Sequence, residues 1–432
     1  MTLRLNPADP GFAAAFAALV EARREADAGV SAAVSEILAD VRARGDAAVA
    51  ERTLRFDGHD LARTGWRIER AACRAALAGL DRELREAITL AANRIRAYHE
   101  GQRPADREHV DAAGVRLGAR WRAVESAGLY VPGGRAAYPS SVLMNAIPAK
   151  VAGVGRLAMV TPTPKGEVNP LVLAAAEIAG VDEVWRVGGA QAIAALAYGT
   201  ERIAAVDVIV GPGNAWVAEA KRQLYGRVGI DMVAGPSEIV VVADGANNPE
   251  WIAADLLSQA EHDPTSQSIL FSDDAAFADA VAAAVERQLE TLATRQVATA
   301  SWRANGAIIL VPSLADAIPL CDRLAPEHLE LAVADPEPLF ARVRHAGSVF
   351  LGRHTPEAVG DYVGGPNHVL PTGRRARFAS GLSVLDFMKR TSFLACDVDS
   401  LARIGPAAVT LARAEGLPAH GRSVALRLGQ EI

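Results

Sequence analysis

The sequence predicts an α/β protein with parallel sheets, and three observations lead to that prediction. The chain has 432 residues, half of them hydrophobic, so it can bury two or three packed domains of about 150 residues each. From Gly128 onward, short β-rich runs bounded by glycine and proline alternate with helical stretches, as in successive βαβ units. Before Gly128, apolar residues recur at three- and four-residue intervals, which favours amphipathic helices.

Two similar series of strands and helices are expected within the α/β part. The helices expected ahead of them cover residues 13–26, 31–56 and 71–102. The first series has strands at 156–161, 183–187 and 206–210 and helices at 169–180, 190–198 and 215–224. The second has strands at 239–242, 268–271 and 307–311 and helices at 249–261, 275–292 and 314–324. The two series predict two Rossmann-like domains, and the helical piece after Gly381 is too small to fold alone.

Composition and charge exclude several classes of protein. With 45 Lys and Arg against 51 Asp and Glu, the net charge of −6 offers no cationic surplus for general nucleic-acid binding. The start of the chain lacks a secretory signal, and no uncharged stretch approaches the ~18 apolar residues of a membrane span. Cys73, Cys321 and Cys396 are too dispersed for a disulfide framework or a thiolate zinc cluster. We therefore expect a soluble cytoplasmic protein with neither nucleic-acid nor membrane partners.

Two glycine-rich loops, Val187–Gln191 and Val210–Asn214, each join an expected strand to a helix. Open α/β sheets bind ligands at the carboxyl ends of their strands, where glycine lets a ligand approach the backbone. Neither loop matches the GxGxxG or P-loop pattern. A tight turn needs glycine equally, and Asn214 could simply cap the next helix, so both interpretations stay open.

Two pairs of polar residues could carry chemistry. Gln259 and His262 are three residues apart near a helix end and could bridge a metal, although a surface helix terminus also explains them. Glu327 and His328 are adjacent in an apolar setting. Histidine titrates near neutral pH and burial raises the pKa of a glutamate, so both could act as general bases, or they could belong to a solvated turn.

Two segments nearer the C-terminus also contain carboxylate and imidazole groups. The loop Gly360–Pro371 is dense in glycine and proline and contains Asp361 and His368. Glu415 and His420 lie beside an expected helix terminus, where a capping role is equally reasonable. The residues alone thus predict a soluble α/β enzyme that binds a nucleotide and could assemble a metal site from distant nitrogen and oxygen ligands.

Taken together, these segments resemble the histidinol dehydrogenase family from about Ser31 to the C-terminus. The motifs that carry the resemblance, in the order of the family, are Gly128–Gly134, Val187–Gln191, Gly211–Asn214, Ala234–Glu238, Gln259–Asp263, Pro326–Glu330, Gly364–Thr372 and Ala419–His420. The resemblance implies one zinc ion per subunit, held by Gln259, His262, Asp361 and His420, which orients the substrate. The substrate contacts that it implies are Ser237, Gln259, His262, His328, Asp361, His368, Glu415 and His420.

The resemblance also implies a four-electron oxidation of L-histidinol to L-histidine through the aldehyde, with NAD as oxidant, in the last steps of histidine biosynthesis. His328 matches the base that removes the alcohol proton, and Glu327 matches the base that activates water for attack on the aldehyde. Tyr130, Gln191 and Asn214 match the contacts to NAD.

By resemblance, the subunit has two incomplete Rossmann-like domains and small helical end pieces. The implied division is an N-terminal helical segment at 1–25, a discontinuous catalytic domain at 26–129 and 237–381, an NAD domain at 130–236, and a C-terminal piece at 382–432. The last piece would cross over in a homodimer, so that Glu415 and His420 complete the site of the partner. Two alternatives stay open: a related enzyme that oxidises another small polar alcohol such as a sulfonated diol, and a zinc hydrolase without NAD.

Overall fold

The computed structural model describes residues 2–22, 28–133 and 138–430. Its contacts divide the chain into two units, the first made of Met1–Gln102 and Glu125–Phe387, the second of Arg103–Val124 and Met388–Ile432. Among the described residues, no helix combines the length and the apolar character needed to span a membrane.

Strands and helices alternate along most of the described chain. In chain order, the strands are β1 (Leu3–Leu5), β2 (Arg67–Ile68), β3 (Arg107–Val110), β4 (Arg116–Ala123), β5 (Ser126–Tyr130), β6 (Arg156–Val160), β7 (Glu183–Trp185), β8 (Val208–Val210), β9 (Gly229–Ile230), β10 (Glu238–Ala243), β11 (Gln267–Ser272), β12 (Ala307–Leu310), β13 (His328–Ala332), β14 (Ser348–Leu351) and β15 (Met388–Ala395).

The helices of the described residues are α1 (Phe12–Glu21), α2 (Ala28–Arg44), α3 (Asp46–Asp57), α4 (Leu61–Thr64), α5 (Arg70–Ala78), α6 (Arg82–Glu100), α7 (Pro139–Ala152), α8 (Pro170–Ala179), α9 (Gly189–Tyr198), α10 (Ala215–Leu224), α11 (Pro249–Ala260), α12 (Ala275–Thr291), α13 (Arg295–Asn305), α14 (Leu314–Leu324), α15 (Glu337–Phe340), α16 (Glu357–Tyr362), α17 (Val398–Ala414) and α18 (Pro418–Arg427). Short 3₁₀ turns occupy Pro164–Gly166, Arg375–Arg377 and Val384–Phe387.

The first six-stranded sheet is parallel throughout and has the order β1-β12-β11-β10-β13-β14. Its central strand β10 is buried along its whole length, as expected for a parallel strand covered on both faces. Ile239 and Val241 face the core beneath α11, α12 and α13, whereas Val240 and Val242 face the core shared with α1 and α14. Alternate residues of one strand thus serve two hydrophobic cores.

The second six-stranded sheet has the order β2-β7-β6-β5-β8-β9, with β2 antiparallel to β7 and the other pairs parallel. Apolar residues of α2, α3, α9 and α10 form a core with this sheet, while α7 contacts β5 and packs between α6 and α8. If the five strands from β5 to β9, or from β10 to β14, are numbered one to five, both sheets have the order 3-2-1-4-5 of a Rossmann half plus one added edge strand. The expected fold class, with two incomplete Rossmann-like domains, is confirmed.

The structure divides the early helices differently from the sequence pattern. The helix expected over 31–56 is broken at Gly45, whose φ of +54° is left-handed and whose added Cβ would meet the Glu201 carboxylate. The helix expected over 71–102 is likewise interrupted between α5 and α6. The helix expected over 13–26 appears as α1, and its last residues lie outside the described ones.

The contacts also distribute the chain differently from the domains that the resemblance implies. The segment 1–25 begins with a strand, because β1 pairs with β12, and Phe16 of α1 lies in the core of the first sheet. Within 26–129, the second sheet contains β2 and β5, and its core contains apolar residues of α2 and α3. The boundary between residues 25 and 26 lies outside the described residues. Sequence periodicity shows that a helix has an apolar face but not which sheet that face covers.

The second unit is built on a three-stranded antiparallel sheet, β15-β4-β3, together with α17 and α18. Met388 pairs with Ala123 and Ala395 with Arg116, so two segments about 270 residues apart form one ribbon. The C-terminal piece, expected to be helical from residue 382, therefore contains a strand, β15, directly after the 3₁₀ turn Val384–Phe387.

Candidate active site

Glu327 and His328 lie at the amino edge of the first sheet. His328 is the first residue of β13 and is in register with Ile239 of the adjacent strand β10. The backbone N–H of Glu238, at the start of β10, donates to Glu327 Oε2 at 3.1 Å. Ser237 directly precedes that residue, so the amino ends of two neighbouring strands bring Ser237, Glu327 and His328 together. Both Glu327 and His328 are buried, at 6% and 4% exposure, so the alternative of a solvated turn is wrong.

The backbone before this pair has an unusual conformation. Ala325 ends α14 with a left-handed φ of +46°, and its N–H donates to the Cys321 carbonyl at 2.7 Å. A left-handed alanine costs about 1 kcal/mol, so packing must enforce it. Gly347 directly precedes the neighbouring strand β14, and a Cβ there would lie 2.6 Å from the Glu327 carbonyl oxygen. Glu327 and His328 therefore follow a closely packed connection between α14 and β13.

The hydrogen bonds of His328 determine which ring nitrogen holds the proton. Nδ1 lies 3.1 Å from the Glu238 carbonyl oxygen and 2.9 Å from Gln259 Oε1. A backbone carbonyl can only accept, so Nδ1 donates and Nε2 keeps its lone pair. Nε2 is buried without a hydrogen-bond partner among the described residues. Burial lowers the pKa of His328, which keeps the ring neutral and Nε2 available as a base.

Glu327 sits in an environment that favours its protonated form. Burial raises the pKa of the Glu327 carboxyl well above its ordinary value, and the neighbouring carboxylates of Glu238, Asp361 and Glu357 raise it further. The hydrogen bond from the Glu238 N–H opposes this shift. Such a carboxyl can both take up and return a proton during a reaction.

Two carboxylates of α16 approach the His328 ring. Glu357 and Asp361 are four residues apart and share one face of the helix. His328, Glu357 and Asp361 each offer a ligand atom, and these atoms lie within 4.8 Å of one another. Ser258 Oγ donates to Glu357 Oε2 at 3.1 Å, and Glu357 Oε1 lies 3.7 Å from His328 Nε2. Burial, and then the proximity of Glu357, raise the pKa of Asp361, so this group of acids favours a cation.

The end of α11 brings Gln259 and His262 to the same place. Gln259 is buried, and its Nε2 has no hydrogen-bond partner among the described residues. The helix ends at Ala260, and His262 follows in a turn whose N–H donates to the Gln259 carbonyl at 3.3 Å. His262 is exposed yet close enough to lower the pKa of His328. Gln259 therefore points into the site, so a plain surface terminus does not describe this helix end.

His368 approaches His328 from the long loop that follows α16. Burial, and then the nearby His328, lower the pKa of His368 to about 4. The preceding Asn367 fixes the loop, since its Nδ2 donates to the Met144 carbonyl of α7 at 2.6 Å and its Oδ1 accepts from the Val369 N–H at 2.9 Å. A buried amide thus links the loop of the first sheet to a helix of the second.

Glu415 and His420 belong to the second unit. Glu415 directly follows α17, its N–H donates to the Leu411 carbonyl at 2.9 Å, and Gly416 continues in the left-handed conformation. His420 lies in the first turn of α18, and both Glu415 and His420 are exposed. The first unit thus contributes the other predicted metal, substrate and catalytic residues, namely Ser237, Gln259, His262, Glu327, His328, Asp361 and His368.

The predicted cofactor residues line the carboxyl edge of the second sheet. Tyr130 ends β5, and its buried hydroxyl accepts from the Gly189 N–H at 3.2 Å, while burial raises its pKa to about 12. Gln191 is buried in the first turn of α9. Asn214 Oδ1 accepts from the Trp216 and Val217 N–H groups, so this residue does cap α10. Gly134, at the end of the first motif, lies outside the described residues.

Sequence reasoning missed a layer of carboxylates behind the site. Glu357 lies four residues before Asp361, Asp255 four before Gln259, and Glu330 two after His328. Burial raises the pKa of Asp255 to about 6 and that of Glu330 well above its ordinary value, and the two side chains share a hydrogen bond. The sequence did offer one signal for these carboxylates: each lies one helical turn, or two residues along a strand, from a predicted site residue, and so shares its face.

Comparison with known proteins identifies the family. The histidinol dehydrogenase family model matches residues 20–428. Curated histidinol dehydrogenases from Zymomonas mobilis and Rhodospirillum rubrum are 66% and 64% identical, the alignments covering 100% of this chain and 100% and 99% of theirs. A crystal structure of histidinol dehydrogenase from Elizabethkingia anophelis matches with a TM-score of 0.94 at 36% identity, over 99% of this chain and 98% of that one. The resemblance seen in the sequence is thereby confirmed: the chain belongs to the histidinol dehydrogenase family of oxidoreductases.

Proposed function

We propose that the protein is a cytoplasmic, NAD-dependent, zinc-containing enzyme that oxidises L-histidinol to L-histidine through L-histidinaldehyde, completing histidine biosynthesis. The observation that carries the proposal is the buried pair of Glu327 and His328, with His328 Nε2 left as a free base beside a cluster of nitrogen and oxygen donors. Eight curated relatives that are 59% to 66% identical are histidinol dehydrogenases, which does not favour the sulfonated-diol or hydrolase alternatives.

The donor set fits a zinc ion. Gln259, His262 and Asp361 converge beside His328, and the raised pKa of the Asp361 carboxyl is what an uncompensated buried acid cluster produces. With His420, these three residues would hold the metal. When bound, zinc orients the imidazole and amino groups of histidinol. Ser237, His368 and Glu415 would add further substrate contacts.

His328 serves the first oxidation. Its Nε2 takes the proton from the substrate hydroxyl, while the Glu238 carbonyl and Gln259 hold Nδ1–H and so fix the ring orientation. When bound, NAD would supply the acceptor for one hydride, which carries two electrons and one hydrogen, in each of the two oxidations. The burial of the site keeps the intermediate aldehyde away from bulk water and from other nucleophiles.

Glu327 serves the second oxidation. A water molecule adds to the aldehyde carbon, and the Glu327 carboxylate takes a proton from that water. The bond from the Glu238 N–H holds Oε2 of this carboxylate in place, and its raised pKa lets it retain the proton. Two bases in different environments thus match two different proton abstractions.

Tyr130, Gln191 and Asn214 would bind NAD at the carboxyl edge of the second sheet, where the strand order reverses between β5 and β8. Pro162, which follows β6, packs closely against the side of this edge away from β8. A Cβ at Gly188 would lie 2.4 Å from the Pro162 Cβ, and a Cβ at Gly133 would lie 2.7 Å from the Pro162 carbonyl oxygen. We therefore place the cofactor on the side toward β8.

A homodimer is the proposed assembly. The second unit exposes large apolar side chains, which in a soluble protein mark contact surfaces; they include Leu394, Val398, Leu411 and Leu426, each more than 60% exposed. In the proposed dimer this unit crosses to the partner, where Glu415 and His420 complete the site.

The test of the proposed function is stoichiometric. Purified, zinc-loaded protein receives a limiting amount of L-histidinol and excess NAD, and both NADH and the product are quantified. We expect about two NADH for each histidinol and histidine as the product. No NADH from histidinol contradicts the substrate assignment, and one NADH with released aldehyde contradicts the role of Glu327.

A further inference from the structure

A buried ion pair lies beneath the loop that is proposed to bind NAD. Lys221, in the second half of α10, forms it with Asp231, which follows β9. The two charged side chains are only 2% and 1% exposed. Burying both ions costs free energy that their attraction does not fully offset, so the pair calls for a further explanation.

The two charges hold one residue, Gly211, from both sides. Asp231 Oδ2 accepts from the Gly211 N–H at 2.8 Å, and Lys221 Nζ donates to the Gly211 carbonyl at 3.0 Å. Asp231 Oδ1 also accepts from the Met232 N–H at 2.6 Å. Both polar backbone groups of Gly211 are thereby satisfied by charged partners, which make stronger hydrogen bonds than neutral ones.

Gly211 is the residue on which the geometry of the loop depends. Its φ of +115° is accessible to glycine, and an added Cβ would lie 2.2 Å from the Tyr130 carbonyl oxygen. The chain between β8 and α10 therefore packs directly on the backbone of Tyr130, and Asn214 follows three residues later. The orientation of Gly211 sets the spacing between Tyr130 and Asn214.

We propose that Lys221 and Asp231 are positioning residues for NAD: they preorganise the Gly211–Asn214 loop and so determine the affinity for the dinucleotide. This inference rests on the proposed function. A purely structural pair would change the stability of the protein without separating the affinity for NAD from that for histidinol. Removal of a positioning pair weakens NAD binding selectively, because the loop must then become ordered when NAD binds, at a cost in free energy.

The test uses the double variant Lys221→Met/Asp231→Asn, which removes both buried charges at nearly constant volume. In zinc-loaded protein we expect the Kd and KM for NAD to rise on the order of tenfold. The kcat, the KM for histidinol and the zinc content should stay within about twofold. NAD binding is measured directly by calorimetry, and binding of zinc and histidinol shows that the variant is folded.

The control is Lys150→Met/Asp182→Asn, a pair whose side chains are more exposed, at 29% and 40%. This pair, at 2.8 Å, also joins a lysine to an aspartate that accepts a backbone N–H, that of Leu157, but it lies at the opposite edge of the same sheet. We expect the control to leave NAD binding unchanged. Equal weakening of NAD binding in both double variants overturns the inference, because a general loosening of the sheet would then be the cause.

If the Lys221→Met/Asp231→Asn variant does not fold, Asp231→Glu replaces it, since it keeps both charges and lengthens the side chain by one methylene. We expect the Kd for NAD to rise about threefold or more, with the zinc content unchanged. An unchanged Kd in a folded variant overturns the inference while wild-type binding upholds the proposed function. Wild-type protein that binds no NAD contradicts the proposed function itself.

Discussion

The two six-stranded sheets share one strand order but place their polar residues at opposite edges. In the first sheet, Glu327 and His328 stand at the amino ends of β13 and its neighbour β10. In the second sheet, Tyr130 and the loop Gly211–Asn214 stand at the carboxyl ends of β5 and β8. Topology alone therefore does not decide which edge carries chemistry, and the residues at each edge must be examined.

The difference follows from what occupies the carboxyl edge. In the first sheet, Asn247 Nδ2 donates to the Ala332 carbonyl at 2.6 Å, and Arg353 binds both oxygens of Asp244 at 2.8 and 2.7 Å. Side chains from the loops after β10 and β14 thus fill the place where a Rossmann half normally binds its ligand. In the second sheet the loops after β7 and β8 contain glycines instead, namely Gly188, Gly189, Gly211 and Gly213.

Elements that follow the two edges approach each other. Burial raises the pKa of Tyr362 most, the carboxylates of Asp361, Glu261 and Glu357 raise it further, and Tyr138, which directly precedes α7, is close enough to add a smaller effect. Tyr362 is adjacent to Asp361, and α7 follows the carboxyl end of β5. The start of α7 therefore lies near Tyr362 of α16.

The largest expected effect separates the two edges of the first sheet. His328→Asn should lower kcat for alcohol oxidation on the order of a thousandfold, because the variant lacks the ring nitrogen Nε2 that takes the alcohol proton. His354→Asn is the control, since His354 is an exposed histidine that follows β14 at the carboxyl edge of the same sheet. Steady-state rates of NADH formation measure both. A comparable loss in the control would remove the distinction between the edges.

Glu327→Gln sharpens the same prediction. It should spare the oxidation of histidinol to the aldehyde more than the oxidation of the aldehyde, because the side chain acts on the attacking water. Rates measured separately with histidinol and with histidinaldehyde compare the steps. Equal losses of both steps in both variants would contradict the division of labour between Glu327 and His328.

Mixing two inactive variants tests whether the second unit completes the site of the partner. His328→Asn and His420→Asn homodimers should each be nearly inactive. After unfolding and refolding together, half of the dimers are mixed, and one of the two sites in each mixed dimer is intact, so about a quarter of wild-type activity should return. No recovery, with mixed dimers verified by mass spectrometry, would place His420 in the site of its own subunit.

Acid should act with opposite signs on the two sheets. A hydrogen bond from Arg222, aided by Gln223 and Ser31, lowers the pKa of Glu219 beneath the second sheet to about 2 from its ordinary 4.5. A lowered folded-state pKa contributes stability above pH 4.5, and this contribution is lost as the pH falls toward 2. Burial raises the pKa of Asp255 to about 6. The protonated form of Asp255 is therefore favoured in the folded protein, which becomes more stable as the pH falls through that value.

Glu219→Gln should therefore destabilise the protein by about 1–2 kcal/mol at pH 7 and flatten its acid dependence between pH 4.5 and 2. Urea unfolding at a series of pH values measures this change. Glu86→Gln, in an exposed helical pair with Arg82, is the control and should leave the unfolding free energy nearly unchanged. An identical pH profile for wild type and Glu219→Gln would refute the assignment.

The smallest expected effect concerns the independence of the edges. Removing zinc with a chelator should abolish histidinol oxidation yet change the Kd for NAD by no more than about twofold, because the metal candidates and the cofactor loop lie on different sheets. Calorimetric titration with NAD before and after chelation, and after zinc is restored, provides the measurement. A large loss of NAD affinity would mean that the two edges are energetically coupled.

The sequence predicted those elements whose signal is local. Strands such as β6 and β10 are apolar runs bounded by turn residues, and α11 and α14 have clear helical spacing. Helix α7 escaped prediction because it is buried on nearly every face and contains Pro148, which leaves no amphipathic pattern. Strands β4 and β15 escaped because they are mostly unburied and pair only with distant segments.

The site divides in the same way. Glu327 and His328 are adjacent in sequence, so their proximity needed no fold, whereas Gln259 and Asp361 come together only because α11 and α16 converge on β13. Their joint assignment depended on resemblance. Glu357 was missed because one carboxylate per helical turn is also what an exposed face shows, and only its burial distinguishes it.

A crystal structure of the zinc-loaded protein with histidinol and NAD bound tests the central claim most directly. We predict histidinol at the amino ends of β10 and β13, with its alcohol oxygen next to His328 Nε2, and NAD at the carboxyl ends of β5 and β8 against Tyr130 and Asn214. NAD bound at the carboxyl edge of the first sheet, beside Asp244, would contradict the account.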